Sequence, residues 1–139
     1  MPNFVFRYNM DGSNNPPALT ELPVATAQTL VIGDAVVLSS GQLVKASTTF
    51  GSCAGVMAED STTQAAGTMV KVYVPTPSQV WEATASADAT SHVLVAATYD
   101  LNSSQVVNVA DTTGGSIQIV KLGSAVTKVY VQFTVCDFA

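Results

Sequence analysis

Charge, histidine and helix-forming stretches are what this sequence has least of. Only 11% of its residues are Asp, Glu, Lys or Arg, against about 25% in an ordinary soluble domain. Ser, Thr and Ala stand in their place. Such an exterior suits a protein whose surface is largely covered by neighbours, and equally a stable domain with a neutral surface. The charge present is acidic, −5 net with an isoelectric point near 4.4. The basic footprint that phosphate backbones require is therefore missing, and nucleic acid is not an expected partner. The single histidine, His92, adjoins an apolar run with no acidic or nucleophilic neighbour in a known motif. It reads as a rim or core residue rather than a general base.

The two cysteines, Cys53 and Cys136, lie far apart and match no zinc spacing. They read as small buried hydrophobes more readily than as a disulfide. Asp111-Thr112-Thr113-Gly114 resembles an aspartic-protease turn with an extra Thr, and no second such loop follows. Gly51-Ser52-Cys53-Ala54-Gly55 sets its serine one place off the nucleophile-elbow pattern and lacks a strand–turn–helix setting. Glu59 and Asp60 are adjacent, so on a strand they would face opposite ways. No Walker loop, calcium loop or dinucleotide fingerprint occurs. The expectation is a protein that is not an enzyme and holds no cofactor or metal. No apolar run approaches the ~20 residues that span a bilayer, and MPNFVFRYNMDG has no signal-peptide pattern. The chain is expected to be made in the cytosol, to stay soluble and to avoid membranes.

What is present is a succession of short β-branched runs broken by glycine turns. The densest stretch is Leu30–Ala58, with turns at Gly33-Asp34 and Ser40-Gly41 around strands Ala35–Ser39 and Gln42–Ala46. Strands are also expected at Val56–Ala58, Met69–Pro75 (Val70, Val72 and Val74 inward), Val80–Thr84, Val93–Ala97, Val106–Val109, Ser116–Leu122 and Val126–Val135. Glu59–Gly67, Tyr99–Ser104 and Asp111–Gly115 read as turns, and Ala85–Ser91 as at most one helical turn. In the last strand Val129, Val131, Phe133 and Val135 form one inward wall. The fold class is all-β: a compact antiparallel β-sandwich or small β-barrel of about eight or nine short strands.

The first 27 residues differ in kind. Phe4, Phe6 and Tyr8 alternate with Val5 and Arg7, giving an extended segment one aromatic face. Gly12-Ser13-Asn14-Asn15-Pro16-Pro17 then breaks regular structure, the prolines favouring extension. The organisation expected is an extended N-terminal arm over 1–27 and a single β-domain over 28–139. The arm would bind a partner through Phe4, Phe6, Arg7, Tyr8, Pro16 and Pro17. The competing reading is an ordinary first strand tucked into its own sheet.

Gly33-Asp34-Ala35-Val36, Gly41, Ala46, Ala54-Gly55-Val56 and Ala66-Gly67 before Val70, Val72 and Val74 resemble the head-decoration (cement) proteins of tailed bacteriophages. The likeness covers roughly Gln28 to Pro75, with an echo at Tyr99-Asp100-Leu101. It implies a β-rich, non-catalytic virion component on the outer capsid surface, assembled as a homotrimer and bound to the major capsid protein, which it stabilises. Two other readings remain open: a carbohydrate-binding or fibre/adhesin module stacking Trp81 and tyrosines on sugars, and a structural subunit such as a tail-tube protein.

Overall fold

The computed structural model describes residues 4–26, 28–47, 52–62, 64–91, 94–110 and 115–138. His92, Val93 and Asp111–Gly114 lie outside the described residues, so the readings placed on them receive no structural account. The described residues form β-strands joined by turns, with no α-helix. In order they are β1 (Val5–Asn9), β2 (Ala18–Pro23), β3 (Thr29–Leu30), β4 (Ala35–Ser39), β5 (Gln42–Lys45), β6 (Gly55–Met57) and β7 (Ser61–Thr62). There follow β8 (Met69–Val74), β9 (Gln79–Ala85), β10 (Thr98–Ser103), β11 (Val106–Asn108), β12 (Ile117–Leu122) and β13 (Lys128–Phe133).

The second half of the chain closes on itself. β9 pairs with β11, then β10, β12 and β13 follow, and β13 returns to β9. The result is a five-stranded barrel, an architecture that leaves no free edge along the ring. Alternation dictates its filling. Val129, Val131 and Phe133 of β13, Ile117 and Ile119 of β12, Tyr99 and Leu101 of β10 and Trp81 and Ala83 of β9 all point inward and are buried. The β10–β12 pairing needs Gly115, because a Cβ there would lie 2.2 Å from the Tyr99 carbonyl carbon.

The first half forms a second sheet in the order β2-β8-β6-β4-β5. β4 and β5 are joined by Ser40 and Gly41, both at positive φ (51° and 79°), the backbone of a tight hairpin turn that matches strand twist. The sheet curls until Val24, just beyond β2, bridges Leu43 of β5. Val24, Leu30, Val36, Leu43, Met57, Val70, Val72 and Val74 fill the space enclosed. The middle strands serve both cores: Val36 and Met57 face this one, while Ala35 and Val56 face the barrel core. That accounts for the unbroken apolar runs in β4 and β6.

Asp34 joins the two halves. Its buried carboxylate accepts from Val31 N–H (2.9 Å), Ser104 Oγ (3.0 Å) and Gln105 Nε2 (2.6 Å). Beside it, Ala35 N–H donates to Ser104 C=O at 2.8 Å. One side chain thus holds the β3–β4 turn against the β10–β11 turn.

Three expectations are corrected. Within the segment expected as an arm, residues 4–26 are not free. β1 pairs antiparallel with β9, adding a sixth strand beside the barrel, and β2 pairs with β8 in the second sheet. The physical cause is the aromatic face itself: Phe4 is 3% exposed, its ring 5.1 Å from that of Phe133, and Phe6 meets Trp81 edge-on at 5.6 Å. The polar spacer is also tied down, since Asn9 Nδ2 donates to the carbonyls of Ser13 and Asn15. Val135, expected on the inner wall, is 47% exposed, because β13 ends at Phe133 and the chain turns away. Finally, Leu94–Ala97 is a turn with Ala96 at φ 70°, whereas Tyr99–Ser104, expected as a turn, falls almost wholly in strand β10 (Thr98–Ser103). Leu94 and Val95 are apolar because they pack against the barrel core, not because they form a buried strand.

Candidate interaction surface

The outer face of the β2–β8 ladder is built by simple alternation. With Val70, Val72 and Val74 turned inward, Met69, Lys71 and Tyr73 must point out. Their partners across the ladder are Pro23, Glu21 and Leu19. Leu19 is 57% exposed and Met69 52%; Tyr73 and Ile32 are also exposed. The face thus presents an apolar pair at each end, Leu19–Tyr73 and Pro23–Met69, with Glu21–Lys71 between them.

Tyr73 and Ile32 continue this face into a groove of about 330 Å³ along the seam between the two halves. Phe4, Phe6, Pro16 and Pro17 line it, together with Gly33, Val56, Met57 and Trp81. Four of the six residues expected to bind a partner therefore do meet, but as walls of a groove and not along an extended arm. Phe4 and Pro17 are buried there, Phe6 is half-buried and Pro16 is exposed.

Arg7 and Tyr8 go elsewhere. A bulge between Phe6 and Tyr8 breaks the two-residue period, so Tyr8 is not on the side of Phe4 and Phe6. Arg7 instead pairs with Glu82 at 2.7 Å; this bond holds the Glu82 carboxyl below its ordinary range and raises the guanidinium. The Lys121 ammonium lies 5.2 Å from the centroid of the exposed Tyr8 ring and 4.7 Å from that of the half-buried Tyr130, so the lysine already occupies this tyrosine pair. Trp81, the ring expected to stack on sugars, is 1% exposed, and its indole Nε1 is buried without a hydrogen-bond partner among the described residues. It is core.

Reading residues 4–8 as an isolated stripe missed Leu19, Ile32, Met69 and Tyr73. Met69 and Tyr73 were legible on the outer face of an alternating strand. Leu19 and Ile32 needed the β2–β8 register and the position of the β3–β4 turn. Among the described residues no cluster of His, Cys, Asp or Glu could hold a metal ion, and no helix is long and apolar enough to cross a membrane. Comparison with protein-family models, with curated proteins and with solved structures finds no match to this chain.

Proposed function

We propose that the chain is a head-decoration (cement) protein of a tailed bacteriophage, a non-catalytic virion subunit. It would dock on the outer surface of the capsid and hold neighbouring major capsid proteins together as a homotrimer. The observation that carries this reading is the exposed apolar face of β2–β8, Leu19, Met69 and Tyr73 with Ile32, on a chain otherwise so poor in charge. The likeness of residues 28–75 to cement proteins gives that face its partner. A folded face replaces the free arm as the contact. Each large apolar side chain fully buried on docking contributes roughly 1.5–3 kcal/mol. One copy would bind weakly, since part of that gain is lost to immobilisation. Three copies fixed in one body present the later contacts at millimolar-order effective concentration, so the trimer holds far more firmly than its parts.

Co-sedimentation with shells assembled from the major capsid protein of the same phage tests the proposal. The wild-type chain should pellet with shells, whereas the triple variant Leu19→Ser, Ile32→Ser, Tyr73→Ser should stay in the supernatant while keeping its melting temperature. Equal pelleting of both proteins, no pelleting of the wild type, or capture by immobilised glycans instead of shells would overturn it.

A further inference from the structure

The only two cysteines of the chain come together at its C-terminal end. Beyond β13 the backbone turns and runs beside residues 52–54, where Cys136 lies directly opposite Cys53 in a parallel bridge. Two main-chain bonds fix the register: Cys53 N–H donates to Val135 C=O, and Asp137 N–H donates to Cys53 C=O, each at 2.9 Å. A third tie comes from the Ser52 hydroxyl, which donates to Asp137 Oδ1 at 2.6 Å. Directly opposed residues of neighbouring strands have side chains on the same side and backbones about 4.8 Å apart. Disulfides need Cα atoms roughly 4.4–6.8 Å apart, so this register meets the requirement. Both thiols are free. Each is held by only a weak bond, Cys53 to Gly55 C=O at 3.5 Å and Cys136 to Phe133 C=O at 3.3 Å.

We infer that Cys53 and Cys136 form a dithiol that closes into an intramolecular disulfide, stapling the C-terminal segment to the strand that enters β6. The oxidant is a low-molecular-weight disulfide such as oxidised glutathione. The half-buried Cys136 is the entry point, because Cys53 is fully enclosed. The Cys136 thiolate attacks one sulfur of glutathione disulfide, and one glutathione thiolate leaves. The Cys53 thiolate then attacks Cys136 Sγ in the mixed disulfide and expels the second. The two protons lost by the cysteines end on the two glutathiones, and the two electrons on the same pair. Burial pushes both thiols up, Cys136 to about 11. Closure at neutral pH is therefore slow, and it quickens roughly tenfold with each unit that the pH rises towards that value.

The test incubates the folded wild-type chain with excess oxidised glutathione and follows intact mass, peptide mapping and melting temperature. The expected product is a Cys53–Cys136 linked peptide pair with two hydrogens lost. Because the bridge encloses a loop of about 80 residues, the melting temperature should rise by roughly 10 °C and return on reduction. Cys53→Ala should stop at the glutathione adduct on Cys136. Thiols that stay free when folded yet oxidise in denaturant would overturn the inference. So would a persistent wild-type adduct on Cys136, or a bridge only between chains; each of these readouts needs the wild-type protein alone.

Discussion

Truncating Phe4 to alanine tests whether the N-terminal residues belong to the fold. The ring is almost wholly enclosed, stacked at a tilt on Phe133, and the residue's N–H donates to Gly33 C=O at 3.0 Å. Removing a buried phenyl costs about 3–5 kcal/mol through lost transfer energy and the cavity left behind. A chain of this size has roughly 7–20 kcal/mol of total stability, so Phe4→Ala should still fold. At about 4 °C per kcal/mol its melting temperature should fall by roughly 12–20 °C. Phe138→Ala is the matched control, because that ring is exposed and its loss should change stability by less than about 0.5 kcal/mol. Calorimetry of the two variants beside the wild type decides the matter. Equal, small shifts would refute the reasoning and restore a free arm, as would deletion of residues 1–9 that left the melting temperature unchanged.

Asp34→Ala strands Ser104 Oγ, Gln105 Nε2 and Val31 N–H. Chemical denaturation should show a loss of about 2–5 kcal/mol, each bond to a charged group being worth roughly 1.5–3 before the regained cost of desolvation. Gly115→Ala drives a methyl into the Tyr99 backbone and should destabilise by about 1–3 kcal/mol or more, or unfold the barrel, visible as loss of near-ultraviolet dichroism. Alkaline pH should weaken the reduced protein. Cys53 and Cys136 are raised in the folded state, so their contribution is whole below the unfolded thiol range and is lost as pH rises from about 8.5 towards 11. A Cys53→Ala, Cys136→Ala double variant should show a flatter stability profile over that window.

Much of the architecture was legible because alternation is a local signal. Val70, Val72 and Val74 in β8, and Val129, Val131 and Phe133 in β13, face inward as their spacing requires. The Ser40-Gly41 turn and the all-β class follow from chemistry that acts over a few residues. Closure of β13 onto β9 does not: pairing between distant strands leaves no mark within either one. The N-terminal segment was misleading for a related reason. Phe4 and Phe6 lack partners nearby in sequence, but Phe133 and Trp81 supply them in space. The bulge that separates Tyr8 from Phe6 is likewise set by the ladder with β9. Polar composition hid β10, where Tyr99 and Leu101 alternate inward between Asp and Asn. For the candidate surface, the outward residues of β8 were readable, but their union with Leu19 and Ile32 depends on register and curl.

A cryo-microscopy reconstruction of shells incubated with the purified chain tests the central claim most directly. The account predicts trimers on the outer surface, seated with Leu19, Ile32, Met69 and Tyr73 against the shell and β1 still paired with β9. Bare shells, scattered monomers, or copies whose β2–β8 face points to solvent would contradict it.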